Sequence, residues 1–114
     1  MTTIFKIIDA AAHQAATLNG QFTGAEIDLK DGYIHFSTAA QVAETAKRHF
    51  SGRSNLVLWA IDAGGLGAAL KWEASRGGQL FPHLYEPLGM RHLIWAKPLV
   101  WNGSVHVFPP ETFA

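Results

Sequence analysis

Six side chains carry most of the chemistry that this sequence offers: His35, Ser37, Thr38, Glu73, His83 and Tyr85. In His35-Phe36-Ser37-Thr38 an imidazole precedes two hydroxyls, where a short apolar run gives way to a helical pattern. A strand end feeding a helix N-terminus is a place where such groups can meet an anion or a ribose. The plainer role for Thr38 is an N-cap, with Gln41 three residues later completing a capping box. The plainer role for His35 is a half-buried, hydrogen-bonded ring. Glu73 stands between Trp72 and Ala74, where a carboxylate can titrate high or stabilise a developing cation. Its alternative is an exposed strand carboxylate paired with Arg76. In Phe81-Pro82-His83-Leu84-Tyr85, Tyr85 offers an aromatic face to a planar ring, plus a hydroxyl. A packed strand whose histidine bonds the backbone is the competing reading.

Other chemistries lack their patterns. The sequence holds six histidines but no HxH or HExxH spacing, so no metal site is expected. His13, His49, His92 and His106 read as surface or strand histidines. No GxSxG, GxGxxG or phosphate-loop motif occurs, which leaves serine hydrolase and Rossmann readings without local support. With no cysteine there is no disulfide, thiolate nucleophile or Cys-ligated zinc.

The elements that must position these groups follow from periodicity and punctuation. Ile4 to Ile8 predicts a first strand, with Lys6 among apolar neighbours. Asp9 is a good N-cap for an Ala-rich helix to about Leu18, stopped by Asn19-Gly20. Gln21 to Gly32 reads as polar and turn-rich, and Tyr33 to Phe36 has strand character. A second helix opens at Thr38 and ends at Gly52, with Val42, Ala46 and Phe50 facing the core. Leu56 to Ile61 predicts a central strand buried on both faces. Leu70 to Ala74 alternates as a strand, with Lys71 and Glu73 opposite Trp72. Phe81 to Tyr85 is extended, because Pro82 biases its predecessor away from helix. His92 to Ala96 and Leu99 to Trp101 read as strands. Asn102-Gly103 then predicts a hairpin to Val105–Phe108.

At 114 residues, 48% hydrophobic and 16% charged, the chain fits one domain, 1–114, with a real core. Helices early and strands throughout give α+β rather than alternating α/β. Nine basic residues balance nine acidic ones, which argues against nucleic-acid or anionic-membrane partners. The N-terminal residues lack a signal pattern and no apolar stretch reaches the ~20 residues of a membrane span. A soluble, cytoplasmic protein is expected.

Four motifs in order, Ile4-Phe5-Lys6-Ile7, Asp31 to Ala39 with Gln41, Leu70-Lys71-Trp72-Glu73, and Phe81 to Tyr85, resemble domain-of-unknown-function family 952, small bacterial and plant proteins. The resemblance covers nearly the whole chain. It departs at Glu86, where the family usually has glycine after the tyrosine. It implies a fold like that of the ADP-ribosyltransferases, with a small mixed, split β-sheet, two or more helices and a central cleft for NAD. On that analogy Lys6 is the basic residue of the first strand, and Ser37 and Thr38 are the strand-then-helix hydroxyls. Glu73 is the catalytic glutamate with His35 beside it, and His83 and Tyr85 contact the cofactor. The implied chemistry is loss of nicotinamide through an oxocarbenium-like ribose, NAD being the substrate and no metal being needed. Position 71 is Lys, so no Glu-x-Glu pair exists. That favours a rival, a non-catalytic small-ligand or protein-binding module on the same fold. A third reading is a metal-dependent hydrolase using His35 and His83.

Overall fold

The computed structural model describes residues 2–114. In chain order it contains β1 (Thr3–Asp9), α1 (Ala10–Asn19), β2 (Gln21–Phe22), α2 (Glu26–Asp31), β3 (Ile34–His35), α3 (Val42–His49), β4 (Leu56–Asp62), β5 (Leu70–Ala74), β6 (Leu80–Leu84), β7 (Leu88–Gly89), β8 (Leu93–Trp101) and β9 (His106–Val107). The fold is α+β, and its sheet is split. The larger part has the order β1-β4-β8-β9, a second part runs β3-β6-β5, and β2 pairs with β7. Every described strand pair is antiparallel, so the sheet is not mixed as the sequence reading expected. No helix among the described residues is long and apolar enough to cross a membrane.

The two main sheets meet at one point. Phe5 and Ser37 exchange backbone hydrogen bonds, Phe5 N–H to Ser37 O at 2.7 Å and the return bond at 2.9 Å. One residue earlier, Phe36 N–H donates to the Pro82 carbonyl. The chain from β3 thus bridges β1 to β6, and the gap beyond the bridge becomes a cleft.

Alternation along β1 and β4 explains the core. Ile4, Ile8, Trp59 and Ile61 face one side and pack with Ala16 of α1, Phe22 and Leu84. Phe5, Ile7, Leu58 and Ala60 face the other and pack with Val42 and Ala46 of α3. β4 is therefore buried on both faces, as a continuous apolar run requires. The hairpin at Asn102 is present, with Asn102 N–H donating to Val105 O. β9 reaches only Val100 and Trp101, so Pro98 lies beside no β9 partner whose ladder it would interrupt.

Local capping agrees with the sequence at α1. Asp9 accepts from Ala12 N–H at 2.7 Å, and Gly20 closes the helix at φ +79°. At α3 it differs. The helix proper begins at Val42 after a turn, and it ends at Phe50 rather than Gly52. Gln41 Oε1 accepts from Thr38 N–H at 3.0 Å, which is the reciprocal half of a capping box. The Thr38 hydroxyl makes no capping bond, because the turn at 39–41 moves the free helical N–H groups away from it.

The segment read as a polar loop contains α2. Six residues long, with Ile27 and Leu29 exposed, it shows no apolar stripe. Asp28 holds it instead, accepting from Ala25 N–H at 2.8 Å. Gly24 (φ +127°) lets the chain pass, since a Cβ there would lie 3.0 Å from the Asp28 Cβ.

Candidate functional site

The reason for α2 lies across the sheet. Lys6 shares a face with Ile4 and Ile8 and is 7% exposed, so its ammonium needs a partner inside the protein. Asp28, 2% exposed, supplies one at 3.1 Å, and the His35 carbonyl accepts a second Lys6 hydrogen bond at 2.8 Å. Asp28 also accepts from His35 N–H at 3.0 Å and faces His35 Nδ1 at 2.6 Å. Burial pushes the Asp28 carboxyl up, but the His35 ring, the Lys6 charge and two backbone N–H groups pull it further down, to about 2. Burial also lowers the Lys6 ammonium from its ordinary value, and Asp28 offsets part of that.

His35 and His83 stand opposite each other in the β3–β6 register, with ring centroids 5.5 Å apart. Each has a carboxylate at Nδ1: Asp28 for His35, and Glu73 Oε1 at 2.8 Å for His83. His35 Nε2 meets a further carboxylate, Asp31, at 3.0 Å. A protonated His35 donates to both acids, whereas a neutral ring leaves one lone pair facing an anion. Glu73 also accepts from the Tyr85 hydroxyl at 2.7 Å. The Tyr85 bond and then the His83 bond hold the Glu73 carboxyl below its ordinary value. The same contact pushes the Tyr85 hydroxyl up to about 12. Tyr33, passed over in the sequence, stacks on His83 at 4.1 Å and 30° and also meets the His35 and Tyr85 rings.

A cleft of about 560 Å³ opens between these strands and α3. Of the residues singled out from sequence, Lys6, His35, Ser37 and His83 line it, whereas Thr38, Glu73 and Tyr85 do not. Lys6 reaches the lining with its Nζ already bound. Glu73 reaches the cleft only through His83. Arg76, offered as its partner, turns instead to Thr45 Oγ1 (3.3 Å) and Glu44 (3.6 Å) and lies over the Phe81 ring. Glu86, where the sequence departs from the family pattern, is exposed and outside the cleft lining.

Sequence reading missed His49, Arg53 and Arg76, which line the cleft with Thr45. Arg53 lies over Phe50, and no carboxylate among the described residues pairs with it. The floor and walls are apolar and aromatic: Phe5, Phe36, Val42, Phe50 and Phe81. Asp31 is the one acidic lining residue, and it is engaged by His35. Among the described residues no three His, Asp or Glu side chains are grouped to share a metal ion.

The family described as "Protein of unknown function (DUF952)" matches residues 7–96. The chain belongs to this family. The structure is similar to the crystal structure of protein CC0527 from Caulobacter crescentus, 46% identical over 93% of this chain and 94% of that one, at a TM-score of 0.90. The solution structure of CC0527 gives 0.83 over 93% and 91% of the two chains, again at 46% identity. No curated protein matches the chain.

Proposed function

We propose that this DUF952 domain binds a nucleotide-like, phosphate-bearing ligand of the NAD or ADP-ribose class in the cleft, on an ADP-ribosyltransferase-like fold. The observation that carries this reading is the charge and shape of the lining. An aromatic slot of about 560 Å³ is within the usual range for a small-molecule site. It sets Arg53, which no carboxylate among the described residues pairs with, beside His49 and the Glu44-bound Arg76, while Asp31, the acidic residue of the lining, is already engaged by His35. Guanidinium groups match phosphate oxygens in a planar fork, and aromatic walls take a base or nicotinamide ring. Lys6 is not a phosphate ligand in this scheme, because Asp28 neutralises it inside the core.

The placement of Glu73 supports a second reading on the same fold, a module that binds without turnover. A carboxylate stabilising a ribose cation has to face the cleft, and Glu73 does not line it. Calorimetric titration of the protein with ADP-ribose, NAD and adenosine tests the first reading. It predicts saturable one-to-one binding of the phosphorylated ligands and much weaker binding of adenosine. Equal affinity for all three, or none for any, contradicts it.

A further inference from the structure

The Glu73–His83 pair has a geometry that ligand binding alone does not need. His83 is 3% exposed, and its ring is fixed on two sides: Glu73 takes Nδ1 at 2.8 Å and Tyr33 stacks on its face. Glu73 is itself held by the Tyr85 hydroxyl at 2.7 Å. A carboxylate at Nδ1 selects the tautomer with the proton there and leaves a lone pair on Nε2. Among the described residues Nε2 has no hydrogen-bond partner. Among the described residues the only buried side-chain nitrogen or oxygen lacking a partner is Thr112 Oγ1, so Nε2 keeps contact with solvent, and the ring lines the cleft. His35 differs, since Asp28 and Asp31 occupy both of its nitrogens.

We propose that His83 is a general base of this cleft, acting through Nε2, and that Glu73 is its positioning residue rather than a group touching the substrate. The proposal rests on the NAD-class reading above. In the step it describes, water or another hydroxyl bound beside Nε2 gives its proton to the imidazole as its oxygen bonds to ribose C1′. The C1′–N bond breaks, its electron pair goes to the pyridinium nitrogen, and neutral nicotinamide leaves. The imidazolium, facing the Glu73 carboxylate, then returns the proton to solvent. No oxidant, metal or further reactant enters. A positioned base of this kind contributes about 10²–10⁴-fold to a rate.

Two measurements on the full chain test this. Nitrogen-15 NMR of the ligand-free protein near neutral pH reads the tautomer directly. The expected result is His83 protonated at Nδ1, with Glu73→Gln losing that preference and Glu73→Asp retaining it in part. A ring protonated at Nε2, or one unaffected by Glu73→Gln, overturns the pairing whether or not any ligand binds. Nicotinamide release from NAD at high protein concentration is then compared with ADP-ribose affinity. The expected result is release lowered at least a hundredfold by His83→Gln and markedly by Glu73→Gln, with ADP-ribose affinity within a few fold. Wild-type protein that binds ADP-ribose yet releases no nicotinamide, or release unchanged in His83→Gln, overturns the base and leaves the cleft reading standing. If ADP-ribose does not bind, the cleft reading falls and with it the proposed step, and the tautomer alone decides whether the pair is formed.

Discussion

Lys6 and Asp28 lie 22 residues apart in sequence and meet at 3.1 Å inside the core, both shielded from solvent. This contact fixes α2 against β1 and, through the two Asp28–His35 bonds, sets the position of the His35 ring at the cleft. Breaking one half of such a pair leaves an uncompensated charge in a low-dielectric site. Asp28→Asn is expected to lower stability by about 3–5 kcal/mol. The double change Lys6→Met with Asp28→Asn should recover part of that loss. Denaturant midpoints measure both, and a double variant no more stable than the single one contradicts this account of the contact.

The same carboxylate predicts a pH dependence. Asp28 titrates at about 2 in the folded protein, below the ordinary 3.8. A depressed carboxyl stabilises the fold above its unfolded value and loses that contribution as pH falls through the folded one. A difference of roughly two units corresponds to about 2 kcal/mol, lost between about pH 4 and pH 2. Urea unfolding across that window should show the decline in wild type and a flatter profile in Asp28→Asn. Equal slopes contradict the assignment.

Thr38 and Gln41 separate backbone from side-chain roles. The Thr38 hydroxyl caps nothing, so Thr38→Ala should change stability by less than about 0.5 kcal/mol. Gln41 is 8% exposed and bonds both Thr38 N–H and Leu80 O. Gln41→Ala leaves those groups unpaired and should cost about 1–3 kcal/mol. Thermal or chemical denaturation of the two variants checks the order, and a Thr38→Ala loss as large as that of Gln41→Ala contradicts it.

Much of this architecture was legible because alternation and caps are local signals. Asp9 announced α1, the run Leu56 to Ile61 announced β4, and Asn102-Gly103 announced the hairpin. α2 was not legible, because its stabilising contact is a buried ion pair and its apolar residues Ile27 and Leu29 face solvent. One signal did exist: Lys6 within an apolar strand requires a buried acid somewhere, and Asp28 is that acid. The site was half legible. His35 and His83 were found as strand histidines, but nothing local places Glu73 behind His83 instead of in the cleft. Arg53 and His49 reach the lining from the C-terminal end of α3 and the turn after it, and only tertiary packing shows that.

The cleft cations carry the ligand's charge in the proposed function. Arg53→Gln should weaken ADP-ribose binding by about tenfold, as expected for one charge-assisted hydrogen bond. Stability should change little, because Arg53 is exposed. Raising ionic strength should weaken binding to wild type more than to the variant. Affinity that is insensitive to both salt and Arg53 removes the phosphate from this end of the cleft.

Mapping ADP-ribose onto the protein by NMR chemical-shift perturbation tests the central claim most directly. The account predicts saturable shifts clustered at His35, Ser37, Thr45, Arg53, Phe81 and His83, on the walls of one cleft. It predicts none at the exposed hairpin residues Val105 and Val107 on the far edge of the larger sheet. Shifts confined to residues outside the cleft, or no saturable shifts with ADP-ribose or NAD, would contradict it.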